Sequence, residues 1–237
     1  MKFGSENLIT RQLWVEKTLK SIPKNQSLID IGAGECQYKL HCNHLNYTSQ
    51  DFNQYTGTGN GIGLQTGDWD VSQIDIVSDI LSIPVQDKSY DVVLCTEVLE
   101  HVPNPIAALE EMTRILKNEG KLIITAPFCS LTHFAPFHYC DGFSKYFYTF
   151  HLERLGYKIL EITPNGNYYQ YLSQEMLRLP FMITNFSNKR SNIFIKILIR
   201  IMVKILKYYN SKSENTETML CFGFHVIAIK NNSIDSN

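Results

Sequence analysis

The segment Leu28-Ile29-Asp30-Ile31-Gly32-Ala33-Gly34-Glu35-Cys36 constrains this chain more than any other. An apolar run leads straight into closely spaced glycines, the pattern of a buried strand that ends in a tight turn. Small residues there let a ligand approach the backbone, and a helix after the turn would offer it unpaired N–H groups. Asp51 lies about twenty residues beyond Asp30, where a second parallel strand would end beside the first. A carboxylate at that place can accept both hydroxyl hydrogens of a ribose.

Strand and helix patterns alternate along most of the chain. Ile9, Leu13, Trp14 and Leu19 have helical spacing and predict an N-terminal helix over 6–20. Strands are expected at 27–31, 47–51, 74–79, 90–95, 121–125, 157–163 and 220–230. Asn104 and Pro105 suit the cap and first position of a helix running to about Lys117, with Gly120 as its left-handed exit. Ser144 suits the cap of another that ends near Gly156. Between Gln54 and Gly67 the chain is too rich in glycine for a helix and reads as a mobile flap beside the ligand. This alternation predicts an α/β fold: a doubly wound, mostly parallel, seven-stranded sheet. One domain over 1–237 is expected, with a ligand-binding core at 25–130 and a helical insertion at 164–218 on the substrate side.

With 44% hydrophobic and 12% aromatic residues, the chain can bury one substantial core. A net charge of −1 gives no global field for nucleic acid. Six cysteines without a CxxC pair, and a polar Met1–Glu6 start, lead to the expectation of a reduced, cytoplasmic enzyme. Cys36, His41, Cys42 and His44 match no zinc spacing, and the carboxylates form no magnesium cluster, so no metal is expected. A dinucleotide fingerprint would need a glycine three residues after Gly34, where Gln37 stands.

Three downstream pieces follow in order: Asp79-Ile80, then Ser89–Val93 with Cys95-Thr96-Glu97-Val98-Leu99-Glu100-His101-Val102, then Leu116–Leu122. Together with the glycine turn they resemble the class I S-adenosylmethionine-dependent methyltransferases, over a little under half the chain. The resemblance implies S-adenosylmethionine as cofactor and a Rossmann-like methyltransferase fold. It implies that Gly32 and Gly34 face the methionine portion and that Asp30 reaches its ammonium. Asp51 would bind the ribose, Phe52 would cover the adenine, and Asp79 and Ile80 would hold its edge. Thr96 and Glu97 would line the floor near the methyl group. Cys36 departs from the family's third glycine.

The loop from Pro127 to Tyr139 is too aromatic and histidine-rich for an ordinary solvated connection. His133 and His138 are candidate general bases there, with His101 beside the same face, because imidazole titrates near neutrality. The expected activity is O-methylation of a small molecule or glycan, a sugar of cell-surface polysaccharide or secondary metabolism. Methylation of a quinone or lipid is the alternative, and a non-catalytic partner protein keeping the fold is the alternative of another class. In the insertion, Lys196, Arg200, Lys204 and Lys207 form one basic stripe on an otherwise apolar helix at 191–209. Charges at that spacing forbid a membrane span. Anionic membrane at the inner face, lid packing and a homodimer contact would all use the same surface.

Overall fold

The computed structural model describes residues 2–187 and 189–232; residues 1, 188 and 233–237 of the expected domain and insertion lie outside it. Seven strands, β1 (Ser27–Ile31), β2 (Asn46–Asp51), β3 (Ile76–Val77), β4 (Tyr90–Thr96), β5 (Leu116–Pro127), β6 (Tyr157–Asn165) and β7 (Gly223–Lys230), form one sheet in the order β3-β2-β1-β4-β5-β7-β6. The first five pair in parallel, and β7 runs antiparallel to β5 with Thr125 opposite His225. The expected α/β sheet is observed. Order reverses between β1 and β4, the crevice where such sheets bind ligands.

Among the described residues five α-helices accompany the sheet: α1 (Asn7–Lys20), α2 (Pro105–Ile115), α3 (Lys145–Arg154), α4 (Tyr168–Phe186) and α5 (Ile193–Asn210). Val92, Val93, Leu94 and Cys95 of β4 are fully buried, as a central parallel strand covered on both faces requires. Val15 and Leu19 of α1 join Leu28, Val92, Leu94 and Ile123 in the core on one face. At the start of α2 the Asn104 side chain accepts the Ala107 N–H at 3.1 Å, with Pro105 in the first turn. Both capping expectations hold there. Ser144 stands at the cap position of α3 but makes no side-chain cap bond.

The chain divides into two compact units. The larger comprises Leu13–Thr163 with Gly223–Asn237, and the smaller comprises Met1–Gln12 with Pro164–Phe222. In the smaller unit Asn165 accepts from Thr10 Oγ1 at 2.5 Å and donates to the Asn7 carbonyl at 3.0 Å. There α4 and α5 pack on each other. The sequence pattern points to α5, but not to α4, whose cap Asn167 accepts the Gln170 N–H at 3.2 Å.

Three local expectations are corrected. No α-helix follows the glycine turn: Gly32, Gly34 and Cys36 all take positive φ (66°, 53° and 56°). The chain then closes on i→i+3 bonds, with one 3-10 turn at Lys39–His41. α2 stops at Ile115, and Glu119, not Gly120, takes the left-handed conformation (φ 60°). Gly120 sits instead where a Cβ would press on Leu116 Cγ at 2.8 Å. The third strand shrinks to two residues, because Asp75 bonds the Ser49 N–H (2.8 Å) through its side chain.

Candidate active site

A cavity of about 460 Å³ opens at the carboxyl tips of β1, β2 and β4. Gly32, Asp51, Phe52, Asp79, Ile80 and Glu97 line it. Asp51 is nearly buried, and its carboxylate accepts the Gly34 N–H at 3.0 Å and the Asn53 N–H at 2.8 Å. Gly32 has φ +66°, and a Cβ there would overlap the Val98 side chain, so only glycine leaves this wall open. Asp79 accepts the Leu81 N–H at 2.9 Å, which fixes the turn that carries Ile80. Phe52 meets Phe137 edge-on, with centroids 5.0 Å apart.

Other expected site residues stand behind this surface. Asp30 is 1% exposed, lies off the cavity wall and accepts the Tyr47 hydroxyl hydrogen at 2.8 Å. Burial pushes its pKa up to about 7, the Tyr47 bond opposing and the charge of Asp51 adding to the shift. Gly34 backs onto Trp69, where a Cβ would come within 3.1 Å of the indole. Thr96 ends β4 opposite Thr125 and does not line the cavity. Its neighbour Glu97 does, in a left-handed conformation (φ 55°) held by the Thr125 carbonyl and by Thr125 Oγ1, which donates at 2.9 Å. A non-glycine residue in that region is strained, and such strain collects at functional sites.

The sequence reading missed Tyr55, Trp69, Phe134 and Gln50, all of which line the cavity. Tyr55 stacks on Phe134 at 4.6 Å, and Phe134 stacks on His101 at 5.0 Å. The glycine-rich loop is therefore no free flap. Backbone bonds tie it to the histidine loop: Leu64 N–H to Thr132 O, Phe134 N–H to Leu64 O, and Asn60 N–H to Ala135 O. Its glycines are the signal that could have shown this, since the two backbones touch: a Cβ on Gly63 would lie 2.5 Å from the Thr132 carbonyl oxygen.

All three candidate histidines come together. Ring centroids are 4.6 Å apart for His101 and His133, 4.8 Å for His133 and His138, and 6.0 Å for His101 and His138. Only His101 reaches the cavity wall. Burial, helped by His133, pushes its pKa down to about 3. Burial likewise lowers His138. At His133 burial works against the proton, but Glu100 and the Leu131 carbonyl outweigh it, and the pKa rises. By contrast, Cys36, His41, Cys42 and His44 do not assemble: Cys42 is buried in the core, and His44 bonds the Ile22 carbonyl at 3.1 Å.

Residues 29–124 match the family model described as a methyltransferase domain. That matched segment, about two fifths of the chain, is of the class I methyltransferase kind. Within the chain, a 49-residue segment is 55% identical to an uncharacterized protein of Methanocaldococcus jannaschii, covering 21% of each. Forty residues are 48% identical to a ubiquinone biosynthesis O-methyltransferase of Xanthomonas oryzae pv. oryzae, covering 17% of each. The matched segments thus span about a fifth or less of these curated relatives. A SAM-dependent methyltransferase from Archaeoglobus fulgidus superposes with TM-score 0.55 at 17% identity, covering 95% of both chains. The [4+2]-cyclase SpnF does so with 0.54 at 16%, covering 93% of this chain and 80% of its own. At such identities the fold is shared and the chemistry is not thereby transferred.

The walls fit S-adenosylmethionine, the cofactor that the resemblance implies. The Asp51 carboxylate keeps lone pairs beyond its two backbone bonds. Gln50 Oε1 is buried at the wall without a hydrogen-bond partner, as a waiting acceptor would be. Phe52 and Ile80 supply apolar surface for a flat base, and the missing Cβ at Gly32 admits a chain close to the backbone. The volume also lies within the range of small-molecule sites.

Proposed function

We propose that this protein transfers a methyl group from S-adenosylmethionine to an oxygen of a small molecule or glycan, with a sugar as the preferred acceptor. The carrying observation is that one cavity has Asp51 and Asp79 at one part of its wall and His101 of the histidine trio at another. S-adenosylmethionine, when bound, supplies a methyl group already activated on a sulfonium. The chain's own part is then to align the acceptor and keep water out. Tyr55, Trp69, Phe134 and Phe137 form the aromatic side that excludes water and offers flat faces to a sugar ring. His101 donates its Nδ1 hydrogen to the Phe137 carbonyl (2.5 Å), which holds its ring at the cavity wall.

A quinone or lipid acceptor is the second reading, favoured by the smaller unit. Ile193, Phe194, Ile197, Leu198, Ile201 and Ile205 of α5 are all exposed, alongside Lys196, Arg200, Lys204 and Lys207. No acidic residue lies on α5 to balance them. Such a face complements an anionic lipid surface, with the apolar side chains in the acyl boundary and the cations among the headgroups. None of the described helices is long and apolar enough to cross a membrane. Attachment at the membrane surface would bring the enzyme to a lipid-linked acceptor.

Calorimetry with S-adenosylmethionine tests the cofactor half, and absence of binding would favour a non-catalytic partner protein. For the acceptor, the protein and isotopically labelled cofactor are incubated with separated glycan and lipid extracts. Label entering the glycan fraction, with a mass gain of one methylene on oxygen, is the expected result. Label in the lipid fraction supports the second reading instead.

A further inference from the structure

Beside the cofactor cavity lies a group of side chains whose hydrogen-bond accounts do not balance. His101 Nδ1 contacts the Phe137 carbonyl (2.5 Å), and His133 Nδ1 contacts the Leu131 carbonyl (2.8 Å). A carbonyl only accepts, so both Nδ1 atoms carry the hydrogen, and each ring in its neutral form presents a lone pair at Nε2. His101 Nε2 and both ring nitrogens of His138 are buried without a hydrogen-bond partner. So are both carboxylate oxygens of Glu100, a residue with no exposure at all. Glu100 Oε1 is 3.7 Å from His101 Nε2 and 3.8 Å from His133 Nε2, too far for hydrogen bonds. One ligating nitrogen from each of the three rings lies within 4.8 Å of the others.

We infer that His101, His133 and His138 form a binding site for a divalent transition cation of the zinc type, with the buried Glu100 carboxylate beside His101 and His133 as its charge partner. Lone pairs that face one another beside a buried carboxylate repel, and a cation among the three rings would take one lone pair from each and offset the Glu100 charge. Tetrahedral zinc with bonds of about 2.0–2.1 Å sets its ligand atoms roughly 3.4 Å apart. The three histidine nitrogens, within 4.8 Å of one another, therefore need a contraction of at most about 1.4 Å. Three imidazoles beside a carboxylate suit zinc, iron or nickel, whereas magnesium favours six oxygens.

The surroundings resemble a built metal site. In His101 and His133 the Nδ1–H held by a backbone carbonyl fixes ring orientation and leaves Nε2 for the metal, the usual outer arrangement of metal-bound histidine. Asp141 lies 3.4 Å from His138 Nε2 as a carboxylate partner. The segments that carry the ligands are pinned: Tyr139 N–H bonds the Glu100 carbonyl at 2.9 Å, and Leu64 bridges to His133. His101 also lines the cavity, so an ion here has an open side toward an oxygen-donor acceptor. That last role rests on the methyl-transfer reading; the metal binding does not.

The test uses the full chain purified without a polyhistidine tag, stripped with a chelator, then titrated with Zn²⁺ and with Co²⁺. One equivalent of zinc bound, and a tetrahedral cobalt absorption spectrum, are expected. His133→Gln with His138→Gln should weaken zinc by more than the roughly 10–100-fold typical of outer-partner losses, and Asp141→Ala by about that range. The stripped protein and the double variant should still bind S-adenosylmethionine in calorimetry, and both should keep the parent's circular dichroism. No stoichiometric zinc or cobalt binding by the parent chain overturns the site, as does zinc binding that survives the double variant. Loss of cofactor binding in an otherwise zinc-competent protein would instead count against the methyltransferase reading alone.

Discussion

Asp51 Oδ2 accepts the Gly34 backbone N–H at 3.0 Å, so the carboxylate proposed to bind ribose and the glycine turn are joined. The bond orients the carboxylate from the tip of β2 toward β1. Asp51→Ala removes both the ligand's acceptor and the brace on the turn. Charge-assisted bonds of this type contribute about 1.5–3 kcal/mol each, so affinity for S-adenosylmethionine should fall at least about tenfold. Calorimetry giving an unchanged dissociation constant would refute the role.

Gly32→Ala is expected to be worse for binding than for folding alone. Its Cβ would strike Val98, itself on the cavity wall, and the backbone conformation at φ +66° disfavours any side chain. A melting temperature lowered by several degrees, with cofactor binding lost at concentrations that saturate the parent, is the expected pair of results. Normal binding by a destabilised variant would mean that the turn does not touch the ligand.

Asp30 should make stability depend on pH. Its folded pKa of about 7 lies above the ordinary aspartate value of 3.8, so the folded state holds a proton that the unfolded state has released between those values. Stability is therefore fully present below the unfolded pKa and falls as pH rises toward 7, by at most about 4 kcal/mol. Asp30→Asn keeps an acceptor for Tyr47 and cannot ionise. The variant's melting temperature, relative to the parent, should rise between pH 5 and pH 8; parallel profiles would show that Asp30 is ionised in the folded protein throughout.

Arg114 ties α2 to the turn before β4. It donates to the Ile83 and Val85 carbonyls at 2.9 and 2.8 Å and to Glu111 and Asp87 at 2.7 Å each. Arg114→Ala should cost about 2 kcal/mol in denaturant unfolding, because two carbonyls and Glu111 lose a charged donor together. A change below a few tenths would mean that solvent replaces these bonds without loss.

Flotation with vesicles tests the α5 face. The parent chain should float with vesicles rich in anionic lipid and remain behind with neutral ones, and added salt should release it. Replacing Lys196, Arg200, Lys204 and Lys207 with Glu should abolish flotation. A concentration-dependent dimer without flotation would give the face to a second copy of the chain.

Much of the sheet was legible because buried parallel strands are written as unbroken apolar runs: β1 and β4 fall within one residue of expectation. The cap at Asn104 is equally local, a side chain and an N–H three residues on. Errors arose where long-range bonds overrode local pattern. Asp75 shortens β3 by taking Ser49's backbone through its side chain, and Glu119 supplies the left-handed turn that a neighbouring glycine suggested. The glycine-rich loop was misread for the same reason: its glycines serve contact with a loop some seventy residues away.

The sequence by itself determined the sheet, the glycine turn and the presence of acids near strand ends, since spacing and burial periodicity are properties of neighbours along the chain. It did not determine which acids face the cavity: Asp30 and Asp51 look alike on paper, yet one points back to Tyr47 and the other lines the wall. Nor did it reveal that His101, His133 and His138 converge with a buried Glu100. That arrangement needs the crossing of two loops, and their approach is decided by backbone bonds between residues that no periodicity connects.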